Sequence, residues 1–209
     1  MTPTTVDKAL TIRDATLADA EAICRIYNQG IEDRVATLET ETRTPAERRE
    51  WLAARGPRHP VLIAQTEPPT ISNRPPAVRA DLADPATTTP PTISSSPPAA
   101  RTEHAALATT GWASLNRFNP RPVYDHVADL SVYVDRAWRG HGVGRALLGA
   151  LIERARAIGY HKMVLAAFPD NAAGMALYSS VGFTRVGVYR EQGWLDGRWV
   201  DVVVMEQLL

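Results

Sequence analysis

Apolar positions along the chain repeat with two periods, and the switches between them mark out its elements. "LTIRDAT" places Leu10 and Ile12 in alternation, which predicts a strand. "LADAEAICRIYNQGIE" carries Ala22, Ile23, Ile26 and Tyr27 at helical spacing. "TPAERREWLAAR" predicts a second helix, with Thr44 as N-cap, Pro45 at the first helical position and Glu47 completing a capping box. "PVLIAQ" predicts a buried strand. After a break in composition, "ALATTGWASLN" and the β-branched "VADLSVYV" predict two more strands. Leu148, Leu151, Ile152, Ala155 and Ile158 then form the apolar stripe of a long helix. "KMVLAAF" predicts a strand and "AAGMALYSSVG" a short helix. The strands "FTRVGVYREQGW" and "RWVDVVVMEQL" close the chain, joined at the hairpin dipeptide Asp196-Gly197. This order predicts an α/β protein with a mixed sheet and helices on both faces.

The break spans residues 67–103. It holds nine of the sixteen prolines and no aromatic residue. Such a segment buries too little surface to offset its ordering entropy, which predicts a disordered insertion within one domain covering residues 10–209. Loop closure grows slowly with length, so a fold tolerates it.

Charge narrows the function. Lys+Arg and Asp+Glu both total 23 in 209 residues, which argues against nucleic acid as partner. The single cysteine, Cys24, excludes an intrachain disulfide and a multi-cysteine metal site, and it sits on an apolar helix face as a small hydrophobe. No run approaches the ~20 apolar residues of a membrane span, and no signal peptide is evident. The expectation is a cytoplasmic protein without a membrane partner.

"RGHGVGRALL" carries the most specific chemistry. Arg139, Gly142 and Gly144 fit R-x-x-G-x-G between a strand and a helix. Glycines let backbone approach a ligand, and the free N–H groups of a first helical turn favour an anion. The arrangement suits a phosphate. The lack of Lys-Ser/Thr after the last glycine excludes a Walker A loop, and the three-glycine dinucleotide fingerprint is absent from the first strand. By itself the pattern also fits a plain tight turn.

"SVYVDRAWRGHGVGRALL" followed by "GYHKMVLAAFPDNAAGMALYSSVGF" resembles the acyl-CoA core of the GNAT N-acetyltransferase superfamily. "IYNQGIEDRVATLETETRTPAERREWL", "GYHKMV" and "LDGRWVDVVVMEQLL" resemble its phosphinothricin N-acetyltransferase branch. The tail "VGVYREQGWLDGRWVDVVVME" is similar to the arsinothricin-resistance members. The likeness covers about residues 10–66 and 104–209. It implies a GNAT-type acyl-CoA N-acyltransferase fold, with a splayed central sheet flanked by helices.

The resemblance also implies roles. Acetyl-CoA is the cosubstrate, with no metal. Its pyrophosphate is held by Arg139, Gly140, His141, Gly142, Val143 and Gly144, with Arg145 behind, and its pantetheine arm by the backbone of Val132 and Val134. Asn171 matches a CoA-contacting asparagine, and it equally suits a helix N-cap. Asp129 stands where the branch has a general-base glutamate. Being one methylene shorter, it is expected to reach the amine through a bridging water. Tyr178 matches the thiolate proton donor. For the acceptor, Arg117, Arg121 and Tyr124 lie on the loop before Asp129, and an arginine fork suits a carboxylate or phosphinate. "ATLET" supplies the opposite wall, at Leu38. Trp199 and Asp201 are typical of the branch and close the site or pack a dimer. The implied activity is amine acetylation of a small amino-acid-like toxin: phosphinothricin, methionine sulfoximine or arsinothricin. Alternatives are a polyamine, aminoglycoside or protein N-terminus as acceptor, or a non-catalytic acyl-CoA-binding module. The expected partners are that small substrate and a second copy of the chain.

Overall fold

The structure is a computed structural model that describes residues 10–66 and 107–209; the Pro-rich stretch lies outside the described residues. The strands are β1 (Thr11–Asp14), β2 (Val61–Thr66), β3 (Ala108–Arg117), β4 (Val127–Val134), β5 (Lys162–Ala167), β6 (Thr184–Leu195) and β7 (Arg198–Leu208). The helices are α1 (Ala20–Glu32), α2 (Pro45–Ala53), α3 (Val143–Ile158) and α4 (Ala172–Ser180). One seven-stranded sheet runs β1-β2-β3-β4-β5-β7-β6. β4 and β5 are parallel, and every other pairing is antiparallel.

Local chemistry accounts for the boundaries. Thr44 Oγ1 accepts from the Glu47 N–H at 3.2 Å, while a Glu47 carboxylate oxygen accepts from the Thr44 N–H at 2.6 Å. That is the anticipated capping box on α2. Asp196 and Gly197 have φ of 49° and 79°, the left-handed pair that a two-residue hairpin requires. β2 and β3 are neighbours whose outermost register partners are Thr66 and Ala108.

Two cores flank the sheet. One packs Leu147, Leu148, Leu151 and Ile152 of α3 against Ala113, Leu115, Leu130 and Met163. The other packs Ile23, Ile26, Tyr27 and Ile31 of α1, with Leu52 of α2, against Ile63 and Trp112. Cys24 is buried with α1, as its pattern indicated. Because side chains alternate along a strand, β3 and β4 each send one set of residues into each core. That alternation positions both halves of the site.

Candidate active site

β4 pairs with β5 only over Val127–Asp129 against Lys162–Val164. Beyond that point β4 continues to Val134 and β5 to Ala167 without pairing to each other, so a wedge opens between them. Val132 and Val134 line this wedge, a cavity of about 850 Å³.

The glycine turn closes its far end and is anchored from α1. Buried Asp135 forms an ion pair with Arg25 and accepts from the Ala137 N–H at 2.9 Å. The Arg136 N–H donates to Gln29 Oε1 at 2.7 Å. Gly140 and Gly142 then have φ of 79° and 81°, and Gly142 is the N-cap of α3. At Gly144 a Cβ would lie 2.8 Å from Leu177 Cδ2, so its absence lets the start of α3 approach α4. Arg139, Gly140, Gly142, Gly144 and Arg145 all line the cavity. Arg139 is already ion-paired with Asp33 at 2.6 Å, whereas Arg145 forms no ion pair among the described residues. His141 and Val143 add no side chain to the lining. His141 Nδ1 lies 2.9 Å from the Arg139 carbonyl, and Val143 is buried in the core.

Asn171 is the helix N-cap that its position suited. Its Oδ1 accepts from the Gly174 N–H at 2.9 Å as N-cap of α4, and it also lines the cavity. Tyr178 sits deeper than the edge position its helical spacing suggested, since it is the buried residue of α4. Its hydroxyl has no hydrogen-bond partner among the described residues, and burial pushes the phenol up to about 12.

The opposite face of the same strands is polar. Register pairs place Asn116 beside Asp129, Ser114 beside Ser131 and Trp112 beside Tyr133. Asn116 Nδ2 donates to Asp129 Oδ2 at 3.2 Å and to Ser131 Oγ at 3.0 Å. Its Oδ1 accepts from Arg55 and from Ser114 Oγ, both at 3.0 Å. Those donors fix the amide's orientation, so its NH₂ faces Asp129. Burial raises the Asp129 carboxyl to about 6, with the bonds from Asn116 and the Leu130 N–H opposing the rise. Burial also lowers Arg55 to about 10, leaving it cationic at neutral pH.

Beside this network lies a second cavity of about 390 Å³, lined by Asn116, Ser131, Tyr27, Trp51, Trp112, Glu39, Arg43, Glu47 and Arg48. Tyr133 borders both cavities and is the wall they share. Sequence reasoning missed this pocket. Its legible signal was the alternation Asp129-Ser131-Tyr133 and Trp112-Ser114-Asn116, polar and aromatic residues opposite the valines that line the wedge.

The loop residues expected to hold the acceptor line neither cavity. Arg117 donates to the carbonyls of Asn119 at 3.1 Å and Pro120 at 2.6 Å. The Arg121 N–H donates to Asn119 Oδ1, its side chain is exposed, and Tyr124 stacks edge-on against Phe118. Leu38 is exposed and rests against Gly193 of β6. Among the described residues no group of three or more His, Cys, Asp or Glu side chains is arranged to hold a metal ion. No helix among them is long and apolar enough to cross a membrane.

Comparison with known proteins gives a consistent pattern. The acetyltransferase (GNAT) family matches residues 99–183. An L-methionine sulfoximine/L-methionine sulfone acetyltransferase of Pseudomonas aeruginosa is 31% identical over 93% of this chain and 92% of its own. A GNAT superfamily phosphinothricin acetyltransferase from Sinorhizobium meliloti, solved in complex with AcCoA, superposes with a TM-score of 0.72 at 25% identity, covering 96% of this chain and 88% of that one. A ribosomal-protein-alanine N-acetyltransferase from Brucella melitensis does so with a TM-score of 0.72 at 30% identity, covering 95% and 99%.

Proposed function

The chain belongs to the GNAT acetyltransferase family, and from that premise we propose that it acetylates the amine of a small amino-acid-like acceptor such as methionine sulfoximine or phosphinothricin. It is an acetyltransferase that uses acetyl-CoA as cosubstrate. The observation that carries the reading is the common wall: a wedge and a polar pocket meet at Tyr133, and Asn116 of that pocket donates to Asp129. Arsinothricin as acceptor rests on the likeness of the tail alone. A role in resistance, a homodimer and a cytoplasmic location belong to the same proposal.

The residues present fit acetyl-CoA. The glycine turn offers free N–H groups at the start of α3 to a pyrophosphate, with Arg139 and Arg145 flanking. The unpaired edge of β4 at Val132 and Val134 suits an amide-bearing arm. Acetyl-CoA supplies an activated acyl carbon. Near pH 7 an α-amino group is mostly ammonium, so its proton must be removed before attack. Asp129, with its carboxyl raised to about 6, is ionised there and accepts that proton, through a bridging water where the shorter side chain requires one. Tyr178, held protonated by burial, delivers its phenolic proton to the departing sulfur. Arg117 and Arg121 lie past Asn116 at the end of the β3–β4 hairpin, outside both cavities, with the Arg117 guanidinium bonded to its own loop.

The rival acceptor is a protein N-terminus, favoured by the likeness to the Brucella structure. An amine panel assayed for free CoA separates the two. Methionine sulfoximine and phosphinothricin are expected to exceed lysine, spermidine and an alanine-terminated peptide by at least ~10-fold in kcat/KM. Comparable rates across the panel, or a preference for the peptide, would defeat the small-acceptor reading.

A further inference from the structure

Arg48 is a buried cation with no polar partner. It is 8% exposed, and its side chain forms no hydrogen bond or ion pair among the described residues. Its guanidinium lies 3.7 Å above the centre of the Tyr27 ring and 5.4 Å from that of Trp51. Its Nε is fully buried without an acceptor. Trp112 Nε1, on the same cavity, is also buried without one. Neither of those two atoms has accessible surface, so neither faces the cavity; the donors that Arg48 offers there are its terminal nitrogens, which bond to no acceptor among the described residues.

The surrounding charges define that ligand. Both acids on the cavity are engaged elsewhere. Glu39 accepts from Arg43 Nε at 2.9 Å, and Glu47 caps α2 while also lying 3.7 Å from Arg43. Arg48 is therefore the cation on this cavity without a direct ion pair among the described residues, although its charge still helps to hold Glu39 and Glu47 below the usual carboxylate range. Its planar fork matches a carboxylate, and the Tyr27, Trp51, Trp112 and Tyr133 rings suit a small organic body beside it. The volume of about 390 Å³ falls within the ~300–1,000 Å³ usual for small-molecule sites.

We propose that the smaller cavity is the acceptor pocket and that Arg48 binds the α-carboxylate of an amino-acid substrate through its terminal nitrogens. This rests on the small-acceptor reading above. It moves the principal anion contact from the β3–β4 loop to α2. Asn116 and Ser131 line the same cavity as Arg48, and Asn116 donates to Asp129, so the amine of a substrate whose α-carboxylate sits on Arg48 shares a pocket with the residue that orients the base. Arg48 is then what distinguishes an α-amino acid from a simple amine.

The test pairs methionine sulfoximine with its decarboxylated amine, assayed on the full chain and on Arg48→Gln, Arg48→Lys and Arg49→Gln. Arg49 is exposed on the same helix and serves as the control. For methionine sulfoximine, Arg48→Gln is expected to raise KM by ~10- to 100-fold, the range for a lost charged hydrogen bond, with kcat within a few-fold. Arg48→Lys should fall between, and Arg49→Gln should match the native chain. The decarboxylated amine should show no change in KM on any variant. An unchanged KM for methionine sulfoximine, or an equal rise for both amines, overturns the proposal. Should Arg48→Gln fail to fold, Arg48→Lys carries the same comparison. If the native chain releases no CoA with either amine, the functional reading has failed. Calorimetric titration of both amines then decides the pocket separately: binding that needs both the carboxylate and Arg48 upholds it, and equal or absent binding overturns it.

Discussion

The two cavities on either side of Tyr133 are built by opposite means. The larger is shaped chiefly by backbone, an unpaired strand edge, two left-handed glycines and the first turn of a helix, with side chains of α1 and α4 along its walls. The smaller is made of side chains drawn from α1, α2, β3 and β4, which meet only in the fold. Backbone sites depend on conformation and survive changes of side chain. Side-chain sites depend on identity and change specificity with one substitution. An enzyme that keeps one acyl donor and varies its acceptor gains from that division.

The comparison breaks most readily at Asp129, which Asn116 of the smaller cavity holds. Asp129→Asn is expected to lower kcat/KM for the acceptor by at least ~10-fold, within the ~10²–10⁴-fold usual for general-base action, while acetyl-CoA affinity stays within a few-fold. The loss should be largest near pH 6 to 7 and shrink as free amine becomes available. Stability should move the other way. The unfolded carboxyl titrates near 3.8 and the folded one near 6, so the folded state holds a proton that the unfolded state loses across that window. Stability of the native chain therefore falls as pH rises from about 4 to 6, by at most ~3 kcal/mol. The asparagine variant escapes this loss, so thermal melts should show it more stable than the native chain at pH 8 and not at pH 4. A full rate in the variant would remove Asp129 from the chemistry. Tyr178→Phe probes the same step from the donor side, with about a 10-fold fall in kcat and little change in either KM.

A smaller effect tests the backbone half. Gly142→Ala places a Cβ on a residue with φ of 81°, a strain of ~1–2 kcal/mol. Acetyl-CoA binding, followed by its thermal shift, is expected to weaken by about 10-fold with the acceptor KM unchanged. If the acceptor KM rises instead, the two cavities are not independent. The smallest effect concerns the Pro-rich stretch. Deleting residues 70–100 should leave the melting temperature and kcat nearly unchanged, in keeping with one domain interrupted by an insertion. A folded but inactive deletion would give that stretch a part in catalysis.

The same division explains what the sequence disclosed. The wedge and its turn were legible because R-x-x-G-x-G lies in one short run between a strand and a helix. The α2 capping box and the Asp196-Gly197 hairpin were legible for the same local reason. The acceptor pocket was not, because Tyr27, Arg48, Asn116 and Ser131 are joined only by sheet register and helix packing. Arg48 had nothing local to mark it, standing among charges on a helix that reads as solvated. Arg117 and Arg121 attracted notice by nearness along the chain to Asp129, yet Arg117 turns back onto its own loop. Tyr178 lines the larger cavity but lies deeper than its helical spacing suggested, because that spacing cannot say what the neighbouring sheet covers.

One consequence lies in the pairing of Thr66 with Ala108. β2 ends and β3 begins at directly opposed residues, a single inter-strand spacing apart. Whatever peptide joins those two points, the scaffold sees the same pair of anchors. Each doubling of the joining length costs only about 0.6 kcal/mol in closure entropy. The junction is thus a natural splice site, where evolution can lengthen or trim the chain and an engineer can graft a tag, a sensor or new termini.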